Sequence, residues 1–179
     1  LWFLDRAQGP SATYNIPYTM RLRATIDLDA LRAALAHVLA AHETLRTVYT
    51  QDEQGPFQKI LDAEAMPPLE AVRVASEQEA FEAVVEVAAQ GFDVSSEPPV
   101  RGRLVSISAG GSAGPVVSDD HVLALVVHHI SADGASLVPL ARDLMEAYVA
   151  RLSGSRPDRP PLEVQYADFA AWQQETFGD

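Results

Sequence analysis

The chain has 179 residues, of which 47% are hydrophobic and none is cysteine, and its formal net charge is −12. This length and apolar content predict one compact unit, and the missing cysteines exclude a disulfide framework and a thiol nucleophile, which fits a cytoplasmic protein. The acidity argues against nucleic acid or an anionic membrane as partner, because both bind clustered Lys and Arg, and no segment approaches the roughly 20 apolar residues that span a bilayer.

Hydrophobic periodicity predicts six elements in the first half of the chain. They are a strand at 18–26, a helix at 28–43, two hairpin strands at 44–50 and 56–61, a strand at 69–75 and a helix at 76–90. Asp27 offers an N-cap to the first helix, and Ser76 with Glu79 forms a capping box for the second. On the second helix, the spacing predicts that Phe81, Val84, Val85 and Ala88 lie on one apolar face.

The second half begins after two prolines with a strand and a loop rich in Gly and Ser. Its predicted elements are a strand at 100–108, a flexible loop at 109–120, a strand at 121–129, a helix at 137–152 and a helix at 164–178. The strand at 121–129 is apolar on both faces, which is typical of a central strand covered on two sides. This order of elements predicts an α/β or α+β unit, with helices packed on a mixed sheet.

The segment HHISADG at 128–134 is the first candidate site. Strand side chains alternate, so His128 and His129 point to opposite faces and cannot have the same role. One imidazole is expected to be fixed in the layer beneath, although both residues also fit ordinary core or strand-end histidines. No metal is predicted, because the two imidazoles diverge and no further ligand joins Asp133.

The loop after these histidines admits two interpretations. Asp133 and Gly134 are typical turn residues, with Gly supplying a positive φ, but Asp133 could also bind an arginine and Gly134 could let a substrate carbonyl approach backbone N–H groups. Ser136 fits a helix N-cap, since no G-x-S-x-G motif surrounds it. Arg46, in HETLRT at 42–47, is predicted to form a structural ion pair with Asp133. The aromatic stripe YADFAAWQ at 166–173 is typical of core packing.

Taken in order, the segments LWFL, GPSATYNIP, HETLRT, HHISADG and YADFAAWQ resemble the conserved blocks of the condensation domains of nonribosomal peptide synthetases. The resemblance implies a fold like chloramphenicol acetyltransferase, in which two similar α/β lobes form a V and two substrate tunnels meet between them. It further implies that residues 1–179 form the N-terminal lobe, beginning partway through the first block and ending after the fourth, and that the C-terminal lobe is absent.

The family reaction implied by this resemblance is amide formation between two thioesters. The α-amine of an aminoacyl thioester on a downstream carrier protein attacks the thioester carbonyl of an upstream aminoacyl or peptidyl carrier protein. Both substrates are held on phosphopantetheine arms, so the implied partners are the two carrier proteins, the C-terminal lobe and a neighbouring adenylation domain. No cofactor is expected to bind this lobe itself, and the isolated lobe is expected to be inactive.

The resemblance also implies residue roles. His129 corresponds to the catalytic second histidine, Gly134 to the glycine whose backbone lies beside the reacting carbonyl, and His128, Asp133 and Arg46 to structural residues of the site. An α-amine with a pKa of about 7.7 to 8.0 can pass its proton to an imidazole with a pKa of about 6.5. Positioning of the amine by His129 is an open alternative to base catalysis.

Subtypes of the family differ in these blocks. Heterocyclisation domains have aspartates in place of the paired histidines, so this chain does not resemble that type. Epimerisation domains share the HHxxxDG motif and differ around it, so an epimerisation domain is an alternative function. The segments at 9–17 and 164–173 are similar to the type that accepts a donor ending in a D-residue. Ala135 departs from the family pattern, which usually has tryptophan there. A catalytically silent, condensation-like recruitment module is the alternative from another functional class.

Overall fold

The computed structural model describes residues 1–108, 118–158 and 160–178. The helices are α1 (Trp2–Gln8), α2 (Leu28–Ala41), α3 (Glu77–Ala89), α4 (Leu137–Leu152) and α5 (Tyr166–Phe177). The strands are β1 (Asn15–Leu22), β2 (Thr47–Asp52), β3 (Gly55–Ile60), β4 (Glu70–Val74), β5 (Val100–Ile107) and β6 (His121–His128). Short 3-10 helices cover Glu43–Arg46, Ala63–Ala65 and Gly134–Ser136.

The main sheet has four strands in the order β1-β6-β5-β4. Strand β6 is antiparallel to both β1 and β5, whereas β4 is parallel to β5. Strands β2 and β3 form a separate antiparallel hairpin. The predicted mixed sheet is therefore confirmed. Strand β6 is a central strand with β1 and β5 as neighbours, as its apolar pattern predicted.

Strand β6 separates two apolar clusters because its side chains alternate between the faces of the sheet. Leu123, Leu125 and Val127 belong to the larger cluster, which includes the buried residues of α2 and α4. Ala124 and Val126 belong to the smaller cluster with Val87 of α3, Phe92 and Val94. The result is a three-layer unit in which α2 and α4 cover one face of the sheet and α3 the other.

Local sequence signals fix several element ends. Asp27 caps α2 by accepting the backbone N–H of Ala30, and Ser76 caps α3 by accepting that of Glu79. Gly102 in β5 allows close packing, because a Cβ there would lie 2.8 Å from Leu69 Cδ1.

Some predicted elements differ from the observed ones. Helix α1 was not predicted, β1 begins at Asn15 rather than at 18, and residues 43–46 form a 3-10 helix instead of extending the strand β2. The predicted apolar face of α3 is correct in part, because Val84 and Ala88 pack against the smaller apolar cluster, whereas Phe81 is 64% and Val85 45% exposed. The predicted loop at 109–120 lies outside the described residues except for 118–120.

Within the described ranges, no helix is long and apolar enough to cross a membrane.

Candidate active site

Strand β6 ends at His128, and His129 follows it in the turn that leads to α4. We call residues 128–136 the motif loop. The backbone N–H of His128 donates to Pro99 O at 2.9 Å, and that of His129 donates to Tyr14 O at 2.8 Å. The start of the motif loop is thus held on both sides by backbone hydrogen bonds.

His128 is fully buried in the smaller apolar cluster. Its ring lies edge-on to the rings of Tyr14 and Phe92, with centroid distances of 6.0 and 6.1 Å. The N–H of Ile130 donates to Nδ1 at 3.1 Å, so the neutral ring carries its proton on Nε2. Burial lowers the pKa of His128, and the neighbouring His129 lowers this pKa further. His128 is therefore a neutral acceptor that builds the turn.

Three carbonyl groups in the turn that begins at His128 accept hydrogen bonds. His128 O accepts from the N–H of Ser131 at 3.0 Å. Ile130 O accepts from the Tyr49 hydroxyl at 3.4 Å, and Ser131 O accepts from the Thr44 hydroxyl at 3.3 Å. These bonds link the motif loop to β2 and to the 3-10 helix at Glu43–Arg46.

His129 lies in this turn and is exposed. Its neighbour His128 is buried, so the predicted separation of the two imidazoles to different environments is confirmed. An exposed imidazole on a hydrogen-bonded turn is available to a molecule that approaches the end of β6.

Asp133 and Ser136 form a capping box around the 3-10 helix that leads into α4. Asp133 Oδ1 accepts from the N–H of Ser136 at 2.9 Å and from its hydroxyl at 2.7 Å, while Ser136 Oγ accepts from the N–H of Asp133 at 3.2 Å. These hydrogen bonds from Ser136 lower the pKa of Asp133. Ser136 is the N-cap of α4 by position, but its side chain bonds Asp133 rather than the first turn of α4.

Gly134 does not have the positive φ that its turn interpretation predicted. A Cβ at this position would meet nothing within 4 Å among the described residues. Neither backbone conformation nor packing against the described residues therefore requires a glycine here.

The predicted ion pair between Arg46 and Asp133 is wrong. Arg46 instead donates to Leu61 O and lies 3.3 Å from Glu43 Oε1. Asp133 is exposed and its hydrogen bonds go to Ser136. The guanidinium of Arg46 pairs with the carboxylate of Glu43, three residues earlier in the sequence. The carboxylate of Asp133 instead caps the 3-10 helix at Gly134–Ser136.

The structure adds residues that the sequence analysis did not assign. Tyr14 and Phe92 enclose the His128 ring, and His42 Nε2 lies 2.9 Å from Asp143 Oδ2. Asp143 could have been noticed, because it lies one turn after Leu140 on the buried stripe of α4, where a carboxylate needs a partner. Among the described residues, no group of three or more His, Cys, Asp or Glu could hold a metal ion.

A family model described as "Condensation domain" matches residues 1–178. The chain belongs to the condensation domain family. Among curated relatives, it is 45% identical over 180 residues to a dimodular nonribosomal peptide synthase of Bacillus subtilis. It is 40% identical over 191 residues to an isonitrile lipopeptide synthase of Mycobacterium tuberculosis. Each match covers 100% of this chain and 7% of the relative.

Solved structures agree with this family. The X-domain in complex with OxyB from teicoplanin biosynthesis superposes with a TM-score of 0.83 at 36% identity, over 98% of this chain and 36% of that one. The first condensation domain of the CDA synthetase, 21% identical, superposes with a TM-score of 0.79 over 98% and 44% of the two chains and shows the fold alone. The predicted chloramphenicol acetyltransferase-like fold with a mixed sheet is confirmed, and the chain spans less than half of each of these structures.

Proposed function

We propose that residues 1–179 form the N-terminal lobe of a condensation domain that joins two carrier-bound thioesters in nonribosomal peptide synthesis. The 36% and 44% shares of the solved condensation-type chains support one lobe of two, and the relatives that are peptide synthases support the pathway. The C-terminal lobe would supply the opposite wall of the site.

The observation that carries the proposal is the exposed His129 beside the buried, turn-forming His128. In the proposed reaction, the acceptor amine attacks the donor thioester carbonyl, a C–N bond forms, and the C–S bond breaks. His129 accepts the proton that the amine loses and passes it to the leaving sulfur, which departs as the thiol, or His129 holds the amine in line with the carbonyl. Its hydrogen-bonded turn limits how far the imidazole can move relative to the sheet.

Gly134 fits a close approach by substrate. Since nothing among the described residues requires glycine there, we assign its small size to a donor carbonyl that lies against the backbone. Asp133 and His128 shape the loop, and Arg46 orders the neighbouring 3-10 helix through Glu43 and Leu61.

The proposed partners are the C-terminal lobe, an upstream donor and a downstream acceptor carrier protein with their phosphopantetheine arms, and an adenylation domain, in the cytoplasm. The aromatic stripe of α5 supports a covering lobe. Its predicted core packing is not found within this chain, because Tyr166 and Trp172 are each 53% exposed. An exposed aromatic row of this kind marks an interaction surface.

The test is condensation between two loaded carrier proteins, catalysed by the intact domain and by His129→Ala. The variant should lose about 10²- to 10⁴-fold in rate, the usual contribution of a proton-transfer residue. Its thermal midpoint should stay unchanged, because His129 is exposed and its truncation opens no cavity. Full activity of the variant would remove His129 from the reaction, and turnover by residues 1–179 alone would refute the two-lobe requirement.

We further propose that the donor ends in a D-residue, which the segments at 9–17 and 164–173 favour. Donor carriers loaded with D- and with L-terminated peptides should differ in rate, with the D-form faster. The reverse order would reject this subtype.

A silent recruitment module is the second candidate, since one related structure is an X-domain bound to OxyB. It predicts no condensation by the intact domain with any loaded pair, together with binding of a partner protein. The intact HHxxxDG motif of this chain favours catalysis.

A further inference from the structure

Outside the motif loop, the segment at 41–44 makes hydrogen bonds to three other parts of the lobe. We call it the 41–44 junction, since it joins α2 to the following 3-10 helix. His42 bonds Asp143 of α4, and the Thr44 hydroxyl bonds Ser131 in the motif loop. The Gln165 side chain, at the start of α5, donates to Ala41 O at 3.0 Å and accepts from the N–H of Glu43 at 3.3 Å.

The contact between His42 and Asp143 involves a buried carboxylate. The Asp143 side chain is 5% exposed, and α4 buries Leu140 and Leu144 beside it. A buried carboxylate without a donor is costly, so the Nε2–H of His42 compensates for the loss of water. Arg142 reaches the other oxygen at 3.4 Å but belongs to the same helix and is 61% exposed. His42 therefore joins the end of α2 to α4 through this carboxylate.

A pocket of about 270 Å³ lies between His42 and part of the motif loop, and its lining includes Thr44, Leu45, Ser131, Ala132 and Ser136. Across this pocket, the hydrogen bond from the Thr44 hydroxyl to Ser131 O connects the motif loop directly to the 41–44 junction. It acts together with the backbone bonds that hold the start of the loop to Pro99 and Tyr14.

We propose that His42 and Asp143 are positioning residues for condensation. They fix α4 relative to the 41–44 junction, and Thr44 transmits that placement to Ser131, two residues after His129. This inference rests on the proposed function. Losing the pair should lower kcat by about 10- to 100-fold, because a displacement near 1 Å is enough for such a loss, while KM for the loaded carriers stays unchanged.

The experiment uses the intact synthetase with loaded carriers and the variants His42→Ala, His42→Gln and Asp143→Asn. Gln retains an N–H donor and Asn retains an oxygen acceptor, so each should keep kcat within about threefold of the unmodified protein. His121→Ala is the matched control. Its imidazole is also buried and bonds Ser106 and Ser118, but it lies at the opposite end of β6. This control should lose stability and keep its kcat.

A second readout does not depend on activity. In the same proteins with labelled histidines, His42→Ala should shift the imidazole resonances of His129, and His121→Ala should leave them in place. If His42→Ala, compared at equal folded fraction, keeps both the kcat and the His129 resonances of the control, the positioning role is overturned. Absence of condensation by the unmodified synthetase would instead overturn the proposed function, and the resonances would still decide whether the pair positions the motif loop.

Discussion

The buried His128 makes the stability of this fold depend on pH in a defined window. Burial lowers the pKa of His128 below its ordinary value of 6.5, so the folded protein keeps the ring neutral where the unfolded chain takes up a proton. For a group whose pKa is lowered by folding and whose charged form is the protonated one, acidification favours the unfolded state. Stability is therefore full above about pH 7.5 and falls as the pH decreases through the unfolded value.

The size of the effect follows from proton uptake by the unfolded chain. One pH unit below 6.5, an unfolded histidine gains about 1.4 kcal/mol from protonation, which is the upper limit of the loss because the pKa of His128 is lowered in the folded protein. The carboxylates with a lowered pKa, Asp93, Asp120 and Asp133, act near and below 3.8 and do not contribute in this window. The free energy of unfolding should be measured by urea denaturation at steps between about pH 7.5 and 5.5.

His128→Asn isolates the contribution of this ring. Asn places Oδ1 where His128 has Nδ1, so the Ile130 N–H keeps an acceptor while the titrating group is lost. The variant is less stable at every pH because a cavity forms. Between about pH 7.5 and 5.5, however, its free energy of unfolding should decrease by about 1 kcal/mol less than that of the unmodified chain. Equal pH dependence in the two proteins would refute the assignment of a neutral, buried His128.

Three further substitutions test the packing and contacts of the fold by urea denaturation. Gly102→Ala should cost about 1 to 3 kcal/mol, because its Cβ would lie 2.8 Å from Leu69 Cδ1, and an unchanged midpoint would show that this side chain yields freely. Phe92→Ala should cost about 3 to 5 kcal/mol, since this fully buried ring leaves a cavity, and a cost under about 1 kcal/mol would contradict its place in the core. Trp2→Phe should cost about 1 kcal/mol by removing the hydrogen bond from Nε1 to Tyr49 O at 2.7 Å, and it should increase proteolysis within α1. Resistance to proteolysis equal to that of the unmodified chain would contradict the role of this hydrogen bond in holding α1.

Most helix ends could be predicted because they depend on local chemistry. The Asp27 and Ser76 caps are readable from the sequence, and the helices that follow them begin where predicted. Helix α1 is short and depends on tertiary contacts, including the bond from Trp2 to Tyr49, which lies 47 residues away. No local pattern reports such a contact.

In the candidate site too, features that depend on local geometry were predictable and those that depend on tertiary contacts were not. Strand alternation was enough to place His128 and His129 in different environments, since it is a property of any strand. The partner of Arg46 was not predictable, because spacing along the chain does not reveal which carboxylate lies within reach, and Glu43 was closer than Asp133. The exposed aromatic row of α5 was also missed, since periodicity identifies an apolar face without saying whether this chain covers it.

The 41–44 junction has a consequence for chimeric synthetases. Its partners lie on α4, in the motif loop and at the start of α5, so its contacts connect residues about 90 to 120 positions apart in sequence. A recombination point between residues 46 and 131 would combine a junction from one parent with a motif loop from another. Crossovers before residue 41 or after residue 165 keep these contacts within one parental sequence. They should give active hybrids more often than crossovers between residues 46 and 131.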